Sequence, residues 1–284
     1  MSSGRHATVE DRYGRERRFH DTLIEEGHER PAGRFYAVNE SSWAFFRRIL
    51  LDAAEEARAA GSCAILSYGD GAGAYSSLAL AEAGYPSIAI DISPASVRAA
   101  RARVEREHPD ADVDFRVMNA EALEFEDDSF DLICGNGILH HLDLERSYTE
   151  IVRTLRPGGS AIFSEPLGHN PLINLYRRLT PGQRTPDEHP LRVADLDLAR
   201  RYFDGVETWY FHLSAIAATP FRNTRLFRPL LRALDALDRR LFAHVRPLRK
   251  HAWLAVIRLT SPRKSGAAVA GPHADALAAD KTIT

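Results

Sequence analysis

Ile65-Leu66-Ser67-Tyr68-Gly69-Asp70-Gly71-Ala72-Gly73 is the stretch on which the fold turns. An apolar run feeds directly into glycines at alternate positions. Such a run reads as the end of a buried strand, and the glycines read as a tight turn that opens a helix. Glycine suits that turn because the backbone must bend sharply and lie against a ligand with no Cβ in the way. The helix that follows offers free N–H groups and positive potential, suited to a carboxylate or a phosphate. Residues 69–74 also satisfy G-x-G-x-x-A, the dinucleotide form. Asp91 ends the next apolar run about 20 residues on, where a carboxylate can accept from both hydroxyls of an adenosine ribose.

Outward from the turn, apolar runs and helical spacings alternate. Trp43, Phe46, Ile49, Leu50 and Ala53 recur at helical steps within Glu40 to Arg58. Strands are expected at Cys63 to Ser67, Ser87 to Ile92, Val113 to Met118, Phe130 to Cys134 and Ser160 to Ser164. Between them, Leu78 to Ala83 continues a helix, and Ser93-Pro94 opens another with a serine N-cap and a proline in the first turn. Ser147 to Leu155 closes a further helix, stopped by Pro157-Gly158-Gly159. The order predicts an α/β protein with a doubly wound, mostly parallel, Rossmann-like sheet. Val206 to Leu213 and Ala252 to Thr260 read as two late strands flanking the amphipathic segment Leu226 to Val245. Paired as neighbours, they complete seven strands with an antiparallel final member. The chain divides accordingly into a helical lead-in or lid (1–60), an α/β core (61–166), substrate-covering loops with a helical insert and the last two strands (167–260), and a disordered tail (261–284).

Composition narrows the class. The 284 residues are 44% hydrophobic, enough for a sizeable core, so wholesale disorder is excluded. With 2 cysteines a disulfide scaffold is excluded, and a reducing, cytoplasmic compartment fits. Lys plus Arg at 37 against Asp plus Glu at 39 leaves no cation surplus for general nucleic-acid binding. No apolar run is long enough to cross a bilayer unbroken, and the polar first ten residues show no secretory signal.

Further motifs choose the cofactor. Met118-Asn119-Ala120-Glu121 follows the third strand, and Phe130-Asp131-Leu132-Ile133 leads into Gly135-Asn136-Gly137-Ile138-Leu139-His140-His141-Leu142. Leu155-Arg156-Pro157-Gly158-Gly159 precedes the fifth strand. Taken in order over residues 63–166, this resembles the class I S-adenosylmethionine (SAM)-dependent methyltransferases. Glu165-Pro166-Leu167-Gly168-His169-Asn170-Pro171 and Thr185-Pro186-Asp187-Glu188-His189-Pro190 look like a bacterial small-molecule branch. The resemblance implies that Gly69, Gly71 and Gly73 border the methionine part of SAM, with Ser67, Tyr68 and Asp70 as further cofactor-binding candidates in the same turn. It also implies that Asp91 and Ile92 hold the ribose side, Asn119 and Ala120 meet the adenine, and Asn136 lines the methionine side. The sequence departs from the family where Ser67 replaces an acidic residue and Asn119 a common Asp. Asp70 is therefore expected to balance the cofactor's ammonium group.

Methyl transfer needs in-line approach of a nucleophile, and often a base to unmask it. His140 and His141 are expected to begin the helix after the fourth strand, at the carboxyl edge where such sheets bind ligands. Neighbouring helical positions point about 100° apart, so one ring faces the pocket; His140 is the preferred one. Glu165 ends the fifth strand on the same edge and can hold an acceptor proton or orient that histidine, and His169 lies just beyond. No metal site of standard spacing is present. An Asn/Asp-Pro-Pro-aromatic turn, typical of enzymes that methylate base amino groups, is missing after the fourth strand. The expected activity is transfer of the sulfonium methyl of SAM, yielding S-adenosyl-L-homocysteine. The acceptor is a small, partly apolar metabolite with oxygen as nucleophile first, then nitrogen or carbon. The alternatives are a nicotinamide-dependent oxidoreductase and a SAM-fold protein that binds without methyl transfer. Residues 221–250 carry a leucine stripe expected to bury against the sheet or cover an apolar acceptor. Their nine cations and two anions read as the solvated face of a lid helix, the other readings being contact with a phosphorylated substrate or weak association with an anionic membrane surface.

Overall fold

The structure, a computed structural model, describes residues 9–26, 37–69, 71–181, 185 and 188–264. Seven strands make one sheet: β1 (Ile65–Tyr68), β2 (Ser87–Asp91), β3 (Val113–Val117), β4 (Phe130–Asn136), β5 (Leu155–Pro166), β6 (Phe203–Phe211) and β7 (Leu254–Pro262). Their order is β3-β2-β1-β4-β5-β7-β6. β1 to β5 pair in parallel, while β7 is antiparallel to both β5 and β6. β6 thus runs with the first five strands and β7 alone is reversed, as the sequence predicts. Strand order switches direction between β1 and β4, so a crevice opens outside their carboxyl ends.

The helices are α1 (Val9–Glu25), α2 (Glu40–Ala59), α3 (Tyr75–Glu82), α4 (Pro94–Glu107), α5 (Leu144–Thr154), α6 (Pro171–Leu179), α7 (Val193–Ala199) and α8 (Phe227–His244). β1 is buried along its whole length because both sheet faces are covered. Side chains alternate across it. Leu66 and Tyr68 join Ile133 and Phe163 in one core, while Ile65 joins Leu132, Ile162 and the Phe46/Leu50 stripe of α2 in the other. Caps fix where helices begin. Ser93 Oγ accepts from Ser96 N–H, Asp143 from Arg146 N–H, and Asn170 from the N–H groups of Leu172 and Ile173.

Four expectations need correction. Pro157-Gly158-Gly159 does not separate a helix from a strand. α5 starts earlier, at Leu144, and ends at Thr154, and β5 begins at once at Leu155. Between the pairings Phe130↔Leu155 and Leu132↔Ser160 the register shifts, and Gly158 takes φ +85° to allow the irregularity. His140 and His141 do not start a helix either; with Leu139 they form a 3-10 turn ahead of α5. In α8 the leucine stripe is only partly buried: Leu231 and Phe242 face the core, but Leu237 is 45% exposed. Finally, the chain stays ordered past residue 261. β7 runs to Pro262, paired with Phe203, and Lys264 Nζ donates to the Val152 carbonyl at 2.7 Å. Residues 265–284 lie outside the described ones.

The turn after β1 depends on two glycines in left-handed conformation, Gly69 at φ +54° and Gly71 at φ +52°. A Cβ on Gly69 would stand 2.3 Å from Ile138 Cδ1, whereas one on Gly71 would meet nothing within 4 Å. Gly71→Ala is therefore expected to cost about 1 kcal/mol, the strain of a left-handed alanine alone. Gly69→Ala adds a steric clash of a further 1–3 kcal/mol, about what overpacking costs. Thermal unfolding of the two variants should give the larger drop in midpoint for Gly69→Ala.

Candidate active site

At the crevice, residues from every early strand end line one cavity of about 250 Å3. Gly69, Gly71, Ala72 and Gly73 form one wall, and Asp91 and Ile92 the next. Met118, Asn119 and Ala120 continue from β3, and Asn136, Gly137 and Ile138 from β4. The glycine turn packs tightly: Gly69 N–H donates to the Ile90 carbonyl at 2.8 Å. Asp91 is locked from two sides, its carboxylate accepting from Gly71 N–H at 3.1 Å and Ser93 N–H at 2.8 Å. Burial pushes its carboxyl up, and those two N–H groups pull the other way. Asn119 Oδ1 accepts from Glu121 N–H at 2.9 Å, which folds the loop after β3 and leaves Ala120 on the cavity wall. Of the residues expected at the cofactor, Asp70 lies outside the described residues.

Two others are not on the wall. Ser67 is wholly buried beneath the turn, and Tyr68 points into the core against Phe163, ring centroids 6.1 Å apart. Strand alternation explains this, since both precede the turn and both faces of β1 are covered. Burial drives the Tyr68 phenol far above its ordinary pKa.

The acceptor-side residues sort by the turn after β4. Glu165 is fully buried at the end of β5 and accepts from the N–H groups of Ile138 (2.9 Å) and Leu139 (2.8 Å). Its other oxygen meets His140 Nδ1 at 2.8 Å. Burial pushes the Glu165 carboxyl up to about 7, against the pull of those N–H groups. His140 is thereby turned away from the cavity, its Nε2 lying 3.6 Å from Glu188. The ring on the cavity wall is that of His141, which corrects the preference for His140. His169 is not on this wall; its carbonyl accepts from His251 Nδ1 at 3.0 Å, on the far side of β5. Glu188 and His189 do fold over His140, with His189 N–H donating to the His140 carbonyl at 3.0 Å, whereas Pro186 and Asp187 lie outside the described residues.

Sequence reasoning missed the fourth wall. α1 closes over the crevice and contributes Arg12, Tyr13, Glu16, His20, Leu23 and Ile24 to the cavity. Glu16 Oε1 lies 2.6 Å from His141 Nδ1 and 3.1 Å from His20 Nε2. Arg12 grips Glu121 with Nη2 at 2.5 and 2.6 Å from its two oxygens, and Tyr13 OH donates to the same carboxylate at 2.7 Å. Asp21 accepts from Ser93 Oγ at 2.7 Å, tying the same helix to the start of α4. The signal was present as the four-residue run Arg12, Glu16, His20, Ile24, one face of a helix, but the surrounding charges hid it.

Burial alone would raise the Glu16 carboxyl, yet its contacts with His141 and His20 outweigh that and hold it well below the carboxylate range. His141 is pushed down to about 4, first by burial and then by repulsion from His140, so its ring is neutral at neutral pH.

A family model described as a methyltransferase domain matches residues 66–163. A ubiquinone/menaquinone biosynthesis C-methyltransferase of Hydrogenovibrio crunogenus is 36% identical over 76 residues, 26% of this chain. The match spans 30% of that relative's length. Among solved structures, phosphoethanolamine N-methyltransferase 2 of Haemonchus contortus, in complex with phosphomonomethylethanolamine and S-adenosylhomocysteine, has TM-score 0.54 at 16% identity, covering 86% of this chain and 60% of that one. Geranyl diphosphate C-methyltransferase of Streptomyces coelicolor, in complex with S-adenosyl-L-homocysteine, has TM-score 0.52 at 14% identity, covering 76% and 78% of the two chains. At such identities the likeness is one of fold.

The low pKa of His141 fixes the sign of a pH effect. In the unfolded chain the ring titrates near 6.5, but in the folded protein only near 4. The stability it contributes is complete above 6.5 and is lost as pH falls toward 4, where only the unfolded chain takes up the proton. The loss amounts to about 3 kcal/mol, since one pKa unit is about 1.4 kcal/mol. Glu165, pushed up to about 7, gains stability over the same window and offsets this loss in the wild type, so the check is differential: the melting temperature of His141→Gln should rise relative to that of the wild type as pH falls from 6.5 to 4.

Proposed function

Because residues 66–163 match a family model described as a methyltransferase domain, we propose that this protein methylates a small, partly apolar molecule, taking the methyl from SAM at the crevice of β1, β2, β3 and β4. One observation carries the reading: a single cavity joins the Gly69–Gly73 turn, Asp91 and Ala120 at one end to His141 and Glu16 at the other. The first end fits an adenosine. Asp91 presents a carboxylate whose partners are N–H groups, leaving acceptor capacity for two hydroxyls. Ile92, Met118, Ala120 and Leu142 give a planar base an apolar sleeve. A Cβ at Gly71 would enter open space, so the backbone there can be approached closely. When bound, SAM supplies a methyl group on a positively charged sulfur.

The other residues act on the acceptor. His141 is neutral at neutral pH and can take a proton from a hydroxyl on the cavity side, while ionised Glu16 stabilises the imidazolium so formed. Leu23, Ile24 and Ile138 exclude water and favour an apolar acceptor body. Glu165 and His140 position the turn that bears His141 rather than touch the acceptor. Carbon is the second acceptor, favoured because the curated relative is a C-methyltransferase. The nicotinamide reading rests on glycine spacing alone. The non-transferring reading rested on Ser67 and Asp70, and Ser67 stands off the wall.

Calorimetric titration with SAM tests the cofactor end. Asp91→Ala should bind roughly 10- to 150-fold more weakly than wild type, the equivalent of one charge-assisted hydrogen bond. Absence of SAM binding by the wild type would refute the reading. With the methyl of SAM radiolabelled, transfer to phenol, alcohol, amine and activated-carbon acceptors identifies the acceptor atom. On that acceptor His141→Gln should lose about 100- to 10,000-fold in rate while still binding SAM. A rate equal to wild type would remove His141 from the chemistry.

A further inference from the structure

Many arginines around the core are paired: Arg47 with Glu82, Arg153 with Glu150, Arg156 with Asp131 and Arg258 with Glu56. Those without a carboxylate partner there among the described residues, such as Arg48, Arg98 and Arg201, are scattered. On α8 and its flanks, Arg225, Arg228, Arg232, Arg239, Arg240 and Arg246 are all exposed, and none has a carboxylate partner among the described residues. The two anions of that stretch do not answer them. Asp238 is buried and accepts from Leu213, Ser214 and Ala215 N–H groups, and Asp235 turns toward His212.

Apolar side chains stand among these cations. Leu226 is 64% exposed and Leu237 45%. With Ala233 between them, they line one outer stripe of α8; Arg240 adjoins it, and Arg225, Arg232 and Arg239 lie about 100–140° farther round the same exposed side. The neighbouring α6 repeats the pattern: Ile173 packs into the same small core as Leu231, while Leu172, Leu175 and Leu179, at steps of three and four, are 56%, 54% and 73% exposed. α6 follows the carboxyl end of β5, and the segment leading to α8 follows that of β6, the sheet edge on which the cavity opens.

From this arrangement we propose that the α6/α8 face is a docking surface for the anionic surface of a lipid bilayer, on which the helices lie without crossing. Lipid headgroups supply the missing counter-charges, and the leucines enter the boundary between headgroups and acyl chains. Other occupants fit less well. A second copy of the chain would bring the same cations face to face. The chain beyond Lys264 carries Asp275 and Asp280 against Lys281, too little charge to neutralise six arginines. A nucleic-acid backbone would use the arginines but leave the leucines exposed. No helix among the described residues is long and apolar enough to cross a membrane, in keeping with surface docking.

Flotation of the full chain with vesicles, without SAM or acceptor, reads this surface independently of methyl transfer. One set is pure phosphatidylcholine and the other contains about 30% phosphatidylglycerol, each at low and high salt. The protein should float with the anionic vesicles at low salt and stay behind with the neutral ones. Each of Arg225→Ser, Arg228→Ser and Arg232→Ser should weaken partitioning roughly fivefold, and the triple variant more than 100-fold. Leu226→Ser with Leu237→Ser should weaken it at both salt concentrations, which a purely electrostatic contact would not do. Circular dichroism melts verify that variants are folded; should these misfold, Leu172→Ser with Leu175→Ser on α6 carries the same test. Equal partitioning to both vesicle types, a triple variant that floats like wild type, or binding of a DNA duplex without vesicle binding would each overturn the proposal.

Discussion

The contact on which the site most depends is the buried carboxylate of Glu165 against the turn after β4. One side chain at the end of β5 receives the backbone N–H groups of Ile138, Leu139 and His140 and the His140 ring. A buried carboxylate so placed is costly unless its lone pairs are met, and here four donors meet them. In return the turn can sit only one way. Ile138 is driven against Gly69 and Gly135, where a Cβ would stand 2.3 and 2.7 Å from its side chain. His140 is turned inward, and His141 is left on the cavity wall. The glycine turn and the acceptor end are therefore not separate devices. Both are braced by the same residue, from a strand that lines none of the cavity wall itself.

That brace explains which parts were legible in the sequence. Alternating apolar runs gave the strands, because burial on both faces demands them, and Ser93-Pro94 marked its helix start because a cap is a local matter. Asp91 and the glycines were legible for the same reason: their chemistry lies within a few residues of a strand end. Boundaries failed where a neighbouring strand decides them. Pro157-Gly158-Gly159 looks like a stop, yet β5 continues through it because Phe130 and Leu132 of β4 offer pairing on both sides of the irregularity. The histidine orientation failed likewise. Nothing in Leu139-His140-His141 says which ring turns inward, because that is decided by Glu165, 25 residues away in sequence from His140.

α1 shows the same limit more sharply. Its bonds to the core join residues separated by 109 and 129 positions, and they are charge-assisted pairs rather than an apolar stripe. Apolar periodicity therefore could not announce it. The pairs matter because they are partly buried. An exposed ion pair contributes little, but Arg12 Nη2 meets both oxygens of the buried Glu121, which without it would keep only neutral donors, Tyr13 OH and Asp143 N–H. The lid is thus held by charges whose removal costs more than their formation gains.

Charge distribution also corrects an inference that composition invites. A net charge of −2, taken alone, argues against any strongly anionic partner. Net charge sums over the whole surface, however, while a flat partner feels only the face presented to it, within a screening length of about 8 Å. Pairing consumes most arginines of the α/β core, so the sum hides a local excess on α8, where two acidic residues are spent on buried contacts. Placing Asp238 under four donors from the loop after β6 secures that loop, and it also removes from the surface the anion that would have balanced Arg239. The same substitution of roles, acid inward and base outward, is what a solvated lid helix does not need and an anion-facing one does.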